Sequence, residues 1–117
     1  MDSFIDLTEE LYHINDDLQQ IYLAKRESGE KGDFYLEVKP YADKVKRISD
    51  EWGNEALKWI STKHPKYIHP MQIQQTMENF ELVSVQAFFP ETSFKRFQSY
   101  HQSIQFILKS ILDEERR

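Results

Sequence analysis

The residues of this chain best suited to chemistry gather in Lys63-His64-Pro65-Lys66-Tyr67-Ile68-His69-Pro70, which puts two prolines, two histidines, two lysines and a tyrosine between two long helical segments. Imidazole can move protons or ligate a metal, and a lysine ammonium can hold an anion. The other histidines are His13, in Glu10-Leu11-Tyr12-His13, and His101. Glu-x-x-His is the spacing by which helical bundles hold a di-metal centre, but such a centre needs two copies and two further inward glutamates. Only one copy is present, and the seam through Leu7, Leu11 and Ile14 leaves Glu10 and His13 flanking it or pointing outward. His64 and His69 are five residues apart across Pro65, so they cannot pair on one helical face. His101 occupies a lone apolar-face position, where a hydrogen-bonded core histidine is expected. The serines have no evident histidine base with a third orienting group, and no phosphate-binding glycine loop or cofactor fingerprint occurs. No catalytic residue, metal or cofactor is assigned.

The elements that position these residues are helices. Phe4, Leu7, Leu11, Ile14, Leu18 and Ile21 are spaced 3, 4, 3, 4, 3, the seam of a packed amphipathic helix. Ser3 is placed to cap it, with Asp6 at the capping-box position, and Ser28-Gly29 to end it. A second rhythm runs through Phe34, Val38, Tyr41, Val45, Ile48, Trp52, Ala56 and Trp59. It crosses Pro40 without a phase change, which predicts a helix from about Asp33 with a kink near Pro40. Gly53 beside Trp52 weakens the helix by about 1 kcal/mol and marks the close approach of a neighbour. A third helix is expected from about Pro70 to Phe89, with Ile73, Met77, Phe80, Ser84, Ala87 and Phe88 on one face. The fourth follows Pro90, is capped by Thr92 or Ser93 and reaches about Glu114, with a seam of Phe94, Phe97, His101, Ile104, Leu108 and Ile111. The expected fold is all-α: an antiparallel up-down-up-down four-helix bundle spanning residues 1–117 as one domain.

That topology places the 63–70 connector at the end of the bundle that holds both termini, near Asp2, Asp6, Asp113 and Glu114. The Gly29–Asp33 loop and the Lys95-Arg96 pair fall roughly 30 Å away. Tyr67 and Ile68 are expected to plug the open end, with His69 capping the third helix. Lys66, Tyr67 and His69 are also the candidate contacts for a small ligand or anion. The third helix carries a second apolar stripe opposite its core face: Met71, Leu82, Val85 and Phe89, which Phe106 of the fourth helix can join. Each helix of a four-helix bundle keeps one side in water, so a second stripe suggests a partner or self-association surface.

Composition narrows the classes further. The net charge of -5 and scattered basic residues argue against nucleic-acid binding. Cysteine is absent, which removes disulfides and thiolate chemistry. The acidic start lacks the basic region of a signal peptide, and no apolar run reaches the roughly 18 residues of a membrane span, so a cytoplasmic protein without membrane partners is expected.

The run Pro65-Lys66-Tyr67-Ile68-His69, with Gln72-Ile73, Asn79-Phe80, Lys95-Arg96-Phe97, Val38-Lys39-Pro40 and Trp52 before a small residue, resembles the YppE-like family of small proteins from Gram-positive bacteria. The likeness extends from about Asp33 to Leu108 and departs at His64, where a basic residue is expected before the proline. It implies a four-helix bundle and no assigned activity. The functional expectation is a non-enzymatic helical module binding a protein partner or itself; the alternative is a small-ligand or anion-binding bundle.

Overall fold

The computed structural model describes residues 3–116. Asp2, one of the carboxylates expected near the connector, lies outside them. Four helices, α1 (Phe4–Ser28), α2 (Lys39–Lys63), α3 (Pro70–Gln86) and α4 (Phe94–Glu115), pack antiparallel in sequence order around one hydrophobic core. Among the described residues no helix is long and apolar enough to cross a membrane.

Local chemistry sets the helix ends. Ser3 Oγ accepts from the Asp6 N–H at 3.0 Å. Gly29 closes α1 in the left-handed region at φ 73°, and its N–H donates to the Lys25 carbonyl. Ser93 caps α4 by accepting from the Arg96 N–H. Leu7, Leu11, Ile14 and Leu18 are buried as the spacing predicts, while Phe4 and Ile21 are half-buried. Tyr22, one residue past the expected seam, is fully buried and stacks on Phe97 at 4.2 Å between centroids.

The kink ahead of α2 is a single π turn, Phe34–Val38. Asp33 organises it: its Oδ1 accepts from the N–H groups of Tyr35 and Leu36, and its own N–H donates to Glu37 Oε2 at 2.7 Å. That bond, and then the Lys25 ammonium at 3.0 Å, hold the Glu37 carboxyl below the usual carboxylate range. Pro40 falls in the first turn of α2, where its missing donor costs little. The wide turn inserts an extra residue into the helical path. Val38 therefore stays in the core, but Phe34, expected inside, is thrown out into water with Tyr35 and Leu36.

Beyond the kink the α2 seam is buried as predicted at Val45, Ile48, Trp52, Ala56 and Trp59. The close approach at Gly53 is real: a Cβ there would lie 2.5 Å from Met77 Sδ of α3. α3 stops at Gln86, short of the expected Phe89, because the chain turns there. The Thr92 hydroxyl donates to the Gln86 carbonyl, and Gly32 N–H ties the 29–33 loop to the Phe88 carbonyl. On α4, Phe97, His101, Ile104, Leu108 and Ile111 are buried. Phe94, expected in the seam, lies at the mouth of the bundle, exposed beneath the Arg26 guanidinium.

The helix pairs are joined differently. α1 and α4 share polar bonds: Asn15 Nδ2 donates to the His101 carbonyl, Gln19 Nε2 to Gln98 Oε1, and Arg116 pairs with Glu9. Tyr22 Oη donates to the Thr92 carbonyl at 2.6 Å just ahead of α4. Among the described residues no hydrogen bond or ion pair crosses from α2 to α3. That pair is joined by packing alone, with Gly53 at its tightest point.

Candidate docking groove between helices two and three

Packing without cross-links leaves space where the side chains are small. Ala42 and Ser49 of α2 and Ser84 of α3 line a groove of about 410 Å³ whose floor is Val45, Met77 and Phe80, the first and last almost wholly buried. The volume lies within the usual range of binding clefts. Ser49 and Ser84 are both buried, and Ser84 Oγ donates to the Glu81 carbonyl of its own helix, so its polarity is satisfied. Val85 closes one side of the groove.

The rim is acidic. Asp43, Asp50, Glu78 and Glu81 line it against one cation, Lys46, whose ammonium lies 3.4 Å from Asp50. Asp43 is paired along its own helix with Lys39. α3 contains no lysine or arginine to answer Glu78 and Glu81, and Glu78 receives only a long bond from Gln74.

The structure divides the expected interface residues between two places. Leu82 and Val85 are exposed together at 41% and 39% beside the groove. Met71 is also exposed, but it precedes Leu82 by eleven residues, about 16 Å along the helix, with Glu78 on the face between them. Phe89 falls beyond the end of α3 and packs half-buried against the core, so the stripe is shorter than its spacing predicts. Phe106 is exposed on α4 but lines a different depression, with Lys66, Tyr67 and Ile68 of the connector.

The connector is only half the expected plug. Ile68 is 5% exposed and fills the end of the core, whereas Tyr67 is 75% exposed and stands outside it. Lys66 Nζ lies 5.5 Å from the centre of the Tyr67 ring, a cation–π contact. His69 takes the N-cap position of α3, and its N–H donates to Gln72 Oε1 at 2.7 Å. His64 ends α2 in the left-handed region at φ 49°. The connector depression, about 380 Å³, also includes Asp113 and Glu114.

The histidines do not converge. His13 is exposed on α1, His64 and His69 sit at helix ends, and His101 is buried in the α1–α4 seam. Among the described residues no three His, Asp or Glu side chains are placed to share a metal ion. Burial holds the His101 imidazole below its ordinary pKa, opposed in part by Asp16 at 4.0 Å and by the Asn15 backbone.

Residues 8–114 match the profile of a bacterial domain of unknown function, DUF1798. The chain belongs to the DUF1798 family. Its sequence is 25% identical over 112 residues to the uncharacterized protein YppE of Bacillus subtilis, covering 96% of this chain and 91% of the relative. Its fold is similar to that of a Listeria innocua protein of unknown function, with a TM-score of 0.91, 31% identity and coverage of 95% and 89% of the two chains. A DUF1798 domain from Staphylococcus aureus is also similar, with a TM-score of 0.86, 29% identity and coverage of 94% and 93%. The near-complete coverage shows that the four-helix arrangement is the DUF1798 fold.

Within this DUF1798 chain, sequence reasoning missed two surface features. Asp43 and Asp50 look like a solvated helix face, and only the antiparallel docking of α3 brings Glu78 and Glu81 opposite them. The exposed run Phe34-Tyr35-Leu36 was hidden by its agreement with the helical period. Asp33 and Pro40 bracketing that run were the available signal for a non-standard turn.

Proposed function

We propose that this chain is a helical protein-interaction module that docks a partner on the α2–α3 face. The observation that carries this reading is the groove itself, an apolar floor with Val85 exposed in its lining and Leu82 exposed next to the lining residue Glu81. Apolar floors flanked by exposed aliphatic side chains are how helical proteins receive an amphipathic segment. The partner's apolar side chains would pack against Met77, Val85 and Leu82, the apolar groups here that still meet water, each fully buried partner side chain contributing roughly 1.5–3 kcal/mol before association costs.

A second reading, ligand binding at the connector, draws on Lys66 and Tyr67 lining the depression beside Phe106. Asp113 and Glu114 in the same depression oppose an anion, which weakens that reading relative to docking on α3. Affinity capture from the native host separates the two. Wild type is compared with Leu82→Lys/Val85→Lys and with Lys66→Ala/Tyr67→Ala, and bound proteins are cross-linked to locate their contacts. Docking predicts a partner cross-linked through Lys46 and lost only with the α3 variant. A strictly monomeric protein that captures the same proteins as its α3 variant overturns it.

A further inference from the structure

We propose that the occupant of the α2–α3 groove is a cationic amphipathic helix of another protein, with small or aliphatic side chains on the floor and lysine or arginine against the rim. This rests on the docking reading and adds the chemistry of the partner. The warrant is charge complementarity. Four carboxylates, Asp43, Asp50, Glu78 and Glu81, line the groove against Lys46 alone. The two α2 carboxylates have i,i+4 partners on their own helix in Lys39 and Lys46. The α3 carboxylates have no cationic partner on their own helix, since α3 carries no basic residue, and Glu78 has only the long bond from Gln74. Exposed carboxylates on both walls of an apolar cleft attract a basic partner, reject an acidic one and raise the association rate. The overall charge of -5 acts in the same direction at long range.

The same features exclude other occupants. Two copies of this chain meeting groove to groove through a two-fold axis would press acidic rim against acidic rim. An extended strand gains most of its affinity from the open edge of a sheet, whereas here the backbone groups facing the groove belong to helices. Nucleic acid would meet four carboxylates against the one rim cation, Lys46. Ala42, Ser49 and Ser84 keep the groove lining small, which lets side chains of a docked helix enter it.

The test is an amide chemical-shift titration of the full chain with two synthetic helical peptides, each about five turns long. Both carry the same leucine and alanine face, and their polar faces are lysine in one and glutamate in the other. At low salt the lysine peptide is expected to shift Val45, Ser49, Ser84 and Val85, while the glutamate peptide leaves them unmoved. Glu78→Lys/Glu81→Lys should weaken the lysine peptide by about tenfold or more, and added salt should do likewise. Both substituted positions are exposed, so the fold should persist, and the amide spectrum reports it directly. Equal binding of both peptides in the groove overturns the cationic chemistry and leaves docking standing. Shifts of the lysine peptide confined to other acidic surfaces, such as Asp113 to Glu115, overturn the proposal. Failure of both peptides also overturns it, and docking is then decided separately by the capture experiment.

Discussion

The α1–α4 pair buries Asn15 and His101 and ties their helices with a side-chain bond to backbone, and the Gln19–Gln98 bond and the Tyr22 hydroxyl extend that seam. The α2–α3 pair is drawn together at Gly53 and Met77, yet no polar bond crosses it, and an acidic groove remains open beside the contact. The two halves of one bundle thus use opposite means. Directional bonds fix the register of α1 on α4, although Asn15 Oδ1 and His101 Nδ1 stay buried there without a hydrogen-bond partner. Contact between a glycine and a thioether fixes α2 on α3 and leaves side-chain-sized space beside it. A sealed seam suits stability, and an open groove suits a partner.

The largest expected effect lies on the sealed side. Tyr22→Ala removes a fully buried ring, its stack on Phe97 and its bond to the Thr92 carbonyl, and should cost about 3–5 kcal/mol in urea denaturation. A loss near zero would show that the α1–α4 seam does not carry the stability assigned to it. Gly53→Val probes the other side. Its side chain must displace Met77, with an expected cost of about 1–3 kcal/mol, and chemical shifts along the groove should move with it.

A smaller effect distinguishes the sides by pH. Burial places the folded-state pKa of His101 below the unfolded value near 6.5. The unfolded chain then binds more protons in the interval between the two values. Stability from this group is fully present above the unfolded value and is lost as pH falls through the interval. Urea midpoints measured from neutral pH downward should decline, and His101→Leu should flatten that part of the decline. An unchanged slope would remove His101 as its source. The smallest effect is expected for Leu82→Lys/Val85→Lys, within about 0.5 kcal/mol of wild type, because both side chains are exposed on the open side. A loss as large as that of Tyr22→Ala would make the α3 stripe part of the core.

Much of this architecture is legible in the residues. Ser3 and Gly29 bound α1, Ser93 opens α4, and the seams through Leu7, Trp52 and Leu108 are buried where their spacing puts them. The misses have physical causes. A strict 3,4 alternation drifts against the 3.6-residue turn, so by the end of α1 the core face has passed from Ile21 to Tyr22. The π turn shifts Phe34 off the face its period implies, and Phe94 sits where the bundle has already opened. Ile68 alone fills the end of the core, and Tyr67 stands outside against the Lys66 ammonium. The groove was the least legible feature, since its acidic rim is assembled from positions on two helices about thirty residues apart in sequence. Leu82 and Val85 carried part of that signal, and the small residues Ala42, Ser49 and Ser84 carried the rest.

The most direct test of the open-side account is site-specific photo-crosslinking in living cells. A photoreactive phenylalanine analogue is placed at Val85 on the groove edge or at Gln102, an exposed position of α4 away from it. The account predicts a discrete protein adduct at position 85, absent at position 102 and abolished by Glu78→Lys/Glu81→Lys. No adduct at position 85, or the same adduct from both positions, would contradict it.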